Sequence, residues 1–206
     1  MSVHQAILEK INSKTPGDIF FPAEFRMLGT DDAIKMALSR LVKENTIERL
    51  ANGVYYIPQF HNLIGRIKPS LEMIANAIAS RDHIQIKPTG MSALNKLGLS
   101  EQVPTRHVYI TNGQPRTYHV EENEIHFKSA SPKKLALKGP ISSLIILAMD
   151  EMGQTEFDET LASKIKGLLK KEDPILLEND MMLAPSWIAK ELYSIISKFK
   201  ITTNSP

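Results

Sequence analysis

The sequence predicts an α+β protein in two parts. Three observations predict it: apolar residues recur at helical spacing in separate stretches, short apolar-rich runs flank turn pairs such as Asn52-Gly53, and beyond Gly139-Pro140 the pattern is helical to the end. Residues 1–58 read as a first domain, 59–69 as a connector of mixed polarity, and 70–206 as a larger α+β domain with a helical carboxy-terminal part. The 206 residues, 42% hydrophobic and 23% charged, are near the globular average and suffice for one large or two small cores.

In the first part, Ser2 can cap a helix carrying Val3, Ile7, Leu8 and Ile11 on one face, and Thr15-Pro16-Gly17 ends it. Ile19 to Phe21 is a short extended piece. Pro22 then opens a brief helix to about Met27, at a position where its missing N–H costs nothing. Gly29 breaks the chain, Thr30 caps the next helix, and Asp31 and Asp32 sit where the positive helix start favours acids. This third helix, to about Glu44, places Ile34, Leu38, Leu41 and Val42 on one face and Lys35, Met36, Ser39, Arg40 and Lys43 on the other. Ile47 to Leu50 and Val54 to Ile57 form a hairpin around Asn52-Gly53, the strongest short hairpin signal. A two-residue loop sets Leu50 opposite Tyr55 and Arg49 opposite Tyr56, with one aromatic inward and one outward, a register that a bulge could slip. Phe20, Phe21 and Phe25 are assigned to the core. The order of elements is that of a winged helix-turn-helix, whose recognition helix enters the DNA major groove while the hairpin wing lies along the phosphates.

In the second part, Ser70 to Arg81 is helical, His83 to Lys87 alternates as a strand, and Ser92 to Leu97 is a short helix. Strands follow at His107 to Thr111, Thr117 to Val120 and Glu124 to Ser129. The helix from Ile141 to Met152 is apolar nearly all round and is expected to run through the middle of this part. Leu161 to Leu169 forms another, and a last helix begins near Pro185, with Ile188, Leu192, Ile195 and Phe199 on one stripe.

Charge separates the stretches further. Residues 1–58 carry 7 basic and 7 acidic side chains, 59–140 carry 11 and 6, and 141–206 carry 7 and 10. The absence of cysteine excludes thiol catalysis, thiolate zinc sites and iron-sulfur clusters, and leaves no disulfide to suggest secretion. No basic-then-apolar leader opens the chain, and the longest strictly apolar run, Leu144 to Met149, falls far short of the ~20 residues of a membrane span. A cytoplasmic protein with no membrane partner is expected.

Two runs carry a resemblance. The first is GDIFFPAEFRMLGTDDAIKMALSRLVKENTIERLANGVYYIP, with Ala37-Leu38-Ser39-Arg40-Leu41 in the third helix and Gly53-Val54-Tyr55 entering the second wing strand; the second is MSALNKLGLSEQVPTRHVYITNG, from Met91 to Gly113. With these the chain resembles the AbiEi-like antitoxins of type IV toxin-antitoxin systems. The resemblance implies a winged helix that represses its own operon and a carboxy-terminal domain that counteracts a co-encoded nucleotidyltransferase-like toxin.

From the residues themselves, Lys35, Ser39, Arg40 and Lys43 can reach base edges and phosphates, and Arg40 is the best bidentate candidate for a guanine edge. Met36 lies on the same face, Thr30 and the helix start are expected to meet a phosphate, and Arg49, Asn52 and Gly53 to guide the wing. Double-stranded DNA, the chain's own operator, is the expected partner, with two copies pairing on operator repeats. Arg106, Arg116, Lys128, Lys133, Lys134 and Lys138 offer further basic charge, though solvated surface is their commoner fate. Trp187 is either a partner hot spot or core. His4, His61, His83, His107, His119 and His126 show no metal spacing; His119 and His126 could meet across a hairpin. Asp82, Gln85 and Lys87 are too close in sequence for a nuclease cluster, and there is no phosphate loop or nucleophile elbow, so neither catalysis nor a cofactor or metal is expected. Two alternatives remain: a one-component winged-helix regulator whose second domain senses a small molecule, and an enzyme scaffolded by a winged helix.

Overall fold

A computed structural model of the chain describes residues 1–102, 104–153 and 159–197. The architecture is mixed α+β. It divides into two compact units, one of Met1–His83 with Tyr118–Ile125, the other of Ile84–Thr117 with His126 onward. The boundaries expected at 58 and 69 therefore fall inside the first unit.

The first unit opens with α1 (Val3–Asn12), whose start is capped by the Ser2 hydroxyl accepting the Gln5 N–H at 3.2 Å. After β1 (Ile19–Phe20) the chain forms a 3-10 helix, Pro22–Leu28, with the Glu24 carboxylate accepting the Phe21 N–H at 2.8 Å. The expected third helix is α2 (Asp31–Lys43), and Thr30 caps it by accepting the Ala33 N–H at 3.4 Å. Then come β2 (Glu48–Ala51) and β3 (Val54–Tyr56). The three strands form an antiparallel sheet in the order β1-β3-β2. Ile7, Ile11, Phe20, Phe25, Ile34, Leu38, Leu41 and Ile47 fill the core, where the Phe20 ring meets Phe25 edge-on at 5.8 Å and stacks on Tyr55 at 5.9 Å.

The wing differs from expectation in register. Arg49 faces Tyr55 and Glu48 faces Tyr56, because the ladder slips at a bulge between Arg49 and Ala51 that takes Leu50 out of the count. The slip allows both tyrosines to be buried instead of one. Tyr55 joins the Phe20 stack, while the Tyr56 hydroxyl donates to Glu48 Oε2 at 2.8 Å. Burial, then the neighbouring Glu48 carboxylate, pushes the Tyr56 hydroxyl well above its ordinary pKa.

The expected connector also contains structure. Gln59–His61 (β4) and Gly65–Ile67 (β5) form a two-stranded antiparallel ribbon. Helix α3 (Leu71–Asp82), capped by Ser70, follows in the same unit. Arg81 near its end lies 4.5 Å over the Phe21 ring, forks onto Asp82 at 2.7 and 2.8 Å and donates to the Tyr118 hydroxyl at 3.0 Å. Those contacts explain why the unit extends to His83.

The second unit contains β6 (Ile86–Pro88), α4 (Gly90–Lys96) and β7 (Arg106–Thr111); the strands β8 (Arg116–Val120) and β9 (Asn123–Ser129), whose turn-side residues Tyr118–Ile125 count with the first unit, complete a sheet in the order β6-β7-β9-β8. Helices α5 (Pro132–Leu135), α6 (Ser142–Met152), α7 (Glu159–Leu169), α8 (Pro174–Leu183) and α9 (Ser186–Ser197) follow. Helix α6 is central as expected, with Ile145, Ile146, Leu147, Ala148 and Met149 all buried. Helix α8 has no counterpart in the sequence reading. Its apolar residues surround the axis, so no stripe marks it, although Asp173 caps it by accepting the Ile175 and Leu176 N–H groups at 2.8 and 3.1 Å. Phe199, expected on the last helical stripe, lies outside the described residues. Among the described residues no helix is long and apolar enough to cross a membrane.

Candidate nucleic-acid interface

Helix α2 divides its side chains by period. Ile34, Ala37, Leu38 and Leu41 are buried, which rotates Lys35, Met36, Ser39, Arg40 and Lys43 together onto the exposed face. All five expected residues thus share one solvent-facing surface on a helix held rigidly by its apolar side. Met27, at the end of the preceding 3-10 helix, is 95% exposed, and Met36 is 58% exposed. Exposed methionines suit contact with an apolar group, such as the methyl of thymine in a major groove.

Charge changes sign along this face. Asp31 and Asp32 occupy the first turn, Arg40 and Lys43 the last, and Lys35 lies 3.7 Å from Asp32. That gradient complements the helix dipole. It also alters the expected role of Thr30: its oxygen is engaged in the cap, and two exposed carboxylates beside it repel a phosphate at the helix start. Lys35, Arg40 and Lys43 are the cations of this face.

The wing tip is a fastened turn. Arg49 Nε donates to the Ala51 carbonyl at 3.2 Å and its terminal nitrogen donates to Asn52 Oδ1 at 2.7 Å, so Arg49 and Asn52 brace each other across the bulge. Gly53 takes φ +69 at the turn, with no atom within 4 Å of where a side chain would start. The three wing residues are brought together. Arg49 stays exposed while its side chain lies along its own hairpin.

Elsewhere the basic residues meet their own acids. Lys128 ion-pairs with Glu151 and Lys134 with Asp150; Arg106, Arg116, Lys133 and Lys138 are exposed residues of the second unit. Trp187 is half-buried against the second core. His119 lies 3.3 Å from Glu124 and His126 bonds Thr117 at 2.7 Å, so the pair expected to meet engages different neighbours. Asp82 is held by Arg81, while Lys87 donates to the Leu137 carbonyl and has its pKa lowered by burial, against the attraction of Asp180. Among the described residues no group of three His, Asp or Glu could hold a metal ion.

Sequence reasoning missed one buried polar cluster. Asp180 Oδ1 accepts the Lys138 N–H at 2.7 Å, and its Oδ2 accepts the Gly139 N–H at 2.9 Å and the Ser142 hydroxyl at 2.6 Å. Glu172 Oε2 accepts the Ile141 and Ser142 N–H groups, both at 2.7 Å. Glu172 thereby satisfies two donors at the start of α6, while Asp180 satisfies those of the loop before it. A Cβ on Gly139 would stand 2.0 Å from Ser142 Oγ, which explains glycine at that position. Their separation in sequence hid these partners; the Asp173-Pro174 pair was the one local signal nearby. Two surface clefts adjoin this region, about 290 and 650 Å³, both lined by Ala136 and Lys138.

The family's sequence profile matches residues 6–177, which includes α2, the wing and the carboxylate cluster up to Glu172. The chain belongs to the DUF6088 family. It is described as a family of unknown function. Among curated proteins the chain finds no match. For this DUF6088 protein, then, the α2 face and the wing carry the argument about function.

Proposed function

We propose that this DUF6088 chain is a cytoplasmic DNA-binding transcriptional repressor, built on an amino-terminal winged helix, that regulates its own operon. The observation that carries the reading is the face of α2: Lys35, Met36, Ser39, Arg40 and Lys43 point to solvent together from a helix whose other side is core. The elements around it support the same reading. A short helix and a turn precede α2, a hairpin follows it, and β3 lies between β1 and β2, the order of a winged helix. In this reading Arg40 forks onto a guanine edge, Met36 meets a thymine methyl, and Lys35 and Lys43 contact phosphates. The wing lies along the backbone through Arg49, Asn52 and Gly53, and two copies occupy repeated half-sites. That the second unit also counteracts a co-encoded nucleotidyltransferase-like toxin rests on the resemblance of the two sequence runs. Rescue of growth by co-expression with the neighbouring gene product tests that part separately.

The direct test is a gel shift with the duplex upstream of the chain's own gene. Arg40→Ala is expected to weaken specific binding by about 1–3 kcal/mol, the worth of one good bidentate base contact. Lys43→Ala is expected to weaken specific and non-specific duplexes alike and to reduce the salt slope by about 1. A wild-type shift that Arg40→Ala leaves unchanged rejects this face as the reader.

A further inference from the structure

Charged side chains hold the loop from Leu137 to Ser142 by its main chain. Lys87 donates to the Leu137 carbonyl, Asp180 accepts the Lys138 and Gly139 N–H groups, and Glu172 accepts those of Ile141 and Ser142. Both carboxylates are buried. Burying charge is costly, and an ordinary surface turn does not need it. The only charged residue of this loop is Lys138, whose side chain is exposed and, among the described residues, pairs with no carboxylate. Its neighbours Lys128 and Lys134 are both ion-paired. An unpaired ammonium is thus mounted on a backbone fixed at the residues on either side of it.

Lys138 lines the cleft of about 650 Å³, a size ordinary for sites of small organic molecules. Three segments of the second unit converge there: Gln85 just before β6, Asn112 just after β7, and the stretch from Ala130 to Ala136 that contains α5. The Gln85 N–H donates to Asn112 Oδ1 at 2.8 Å, and the Ala130 N–H donates to the Thr111 carbonyl at 2.9 Å, so the walls are tied to one another. With its oxygen engaged, Asn112 keeps its amide hydrogens to donate. Ala130, Pro132 and Leu135 supply the apolar wall, and among the described residues that line the cleft none is acidic.

We infer that this cleft binds a small organic monoanion, an apolar and preferably aromatic body carrying one carboxylate. The carboxylate meets the Lys138 ammonium, the body lies on Ala130, Pro132 and Leu135, and a polar group at the far end is read by the Gln85 and Asn112 carboxamides. One cation and no acid match a single negative charge. A doubly charged phosphate suits the cleft less well, since a second cation is missing from its lining and the apolar wall gives a bare phosphate nothing to touch. Binding of this kind does not depend on the DNA reading above.

The test is saturation-transfer NMR on the full chain with three probes: 4-hydroxyphenylacetate, its uncharged counterpart 4-hydroxyphenylacetamide, and inorganic phosphate as competitor. The carboxylate is expected to bind with Kd on the order of 1 mM, and the amide roughly tenfold more weakly, a comparison that needs no variant. Lys138→Met should weaken the carboxylate about tenfold, Lys138→Arg should restore it, and Lys133→Met, which removes an exposed cation outside the cleft lining, should leave it unchanged. The urea curve followed by Trp187 is expected to be the same for all three variants, because these side chains are exposed. Equal binding of carboxylate and amide overturns the inference, as does a Lys138→Met chain that binds like the wild type or a wild type that binds neither organic probe. Displacement of the carboxylate by equimolar phosphate also overturns it, since the site would then read charge without the apolar body. None of these outcomes bears on the gel shift, so failure here leaves the DNA reading standing.

Discussion

Helices α2 and α6 both begin with backbone N–H groups that need partners, and the two units meet that need in opposite ways. In the first unit a single hydroxyl from the neighbouring residue, Thr30, caps α2, leaving the exposed face of the helix unengaged by the cap. In the second unit Glu172, twenty residues downstream of α6, is buried to accept the Ile141 and Ser142 N–H groups, and buried Asp180 holds the Lys138 and Gly139 N–H groups of the loop before them. A local cap fixes a helix while keeping its surface available. A distant cap uses charged groups internally and locks α6 to the loop that precedes it and to α8. Lys128 and Lys134 of the second unit are met by Glu151 and Asp150 on α6, and Lys14, Arg66 and Lys68 of the first by Glu24, Glu48 and Glu121, whereas Arg40 and Lys43 stand on an open helix face. The difference leaves an open helix face on the first unit and a helix start pinned from a distance in the second.

The comparison breaks first at Asp180. Asp180→Ala strips acceptors from the Lys138 and Gly139 N–H groups and the Ser142 hydroxyl in a site only 1% exposed. The expected loss is about 3–5 kcal/mol, the cost of leaving buried donors of a charged hydrogen-bond set without their partner. Trp187, the one tryptophan, lies against the second core, so its fluorescence in a urea titration reports this unit. A loss under about 1 kcal/mol would mean the carboxylate does not hold α6. In the first unit the largest effect is expected at Arg81. Arg81→Met keeps the apolar stem but removes the fork onto Asp82, the bond to Tyr118 and the cation above Phe21, at a cost of about 1–2 kcal/mol, seen as an earlier thermal transition by circular dichroism. Thr30→Ala is smaller, about 1 kcal/mol for a lost cap. Duplex affinity should survive Thr30→Ala at temperatures where the unit remains folded, since Thr30 acts on the helix and not on the ligand. A loss of affinity as large as that of Arg40→Ala would instead return Thr30 to the interface.

The legible parts were those fixed by near neighbours. Ser2, Thr30 and Ser70 announce helix starts because each caps within three residues, and the i, i+4, i+7 stripe of Ile34, Leu38 and Leu41 marks the exposed face of α2 directly. Asn52-Gly53 marked the wing but could not fix its register. The bulge at Leu50 depends on burying both Tyr55 and Tyr56, which is a property of the assembled sheet. The β4–β5 ribbon was hidden because Gln59-Phe60-His61 is exposed on both faces and lacks the alternation that burial imposes on a strand. Helix α8 was hidden for the reverse reason, with apolar residues on every side. The pairing of Glu172 and Asp180 with residues 138–142 crosses thirty to forty positions, and no local pattern encodes it. At the candidate interface both the exposed face of α2 and the acids at its start, Asp31 and Asp32, were legible, because helical period and end charge are local properties.

The smallest expected effect sharpens the contrast through pH. His107 lies on β7, half-buried, and burial lowers its pKa from the ordinary 6.5, against the opposing influence of a hydrogen bond to the Pro104 backbone. Above that ordinary value the ring is neutral in folded and unfolded chains alike and contributes no pH dependence. As pH falls through 6.5 the unfolded chain takes up the proton first. The unfolded state then binds more protons than the folded one, so stability declines with falling pH until the folded-state pKa is reached, and levels off below it. His107→Gln removes this linkage. The urea midpoint followed by Trp187 should therefore fall more steeply in the wild type than in the variant as pH drops through 6.5, and the two should run parallel from about pH 7 to 8. Parallel midpoints across the whole range would show that the ring is as well solvated in the fold as out of it. A divergence seen by Trp187 but absent from a first-unit signal, such as the circular dichroism transition sensitive to Arg81→Met, would show that the two units respond to acid independently.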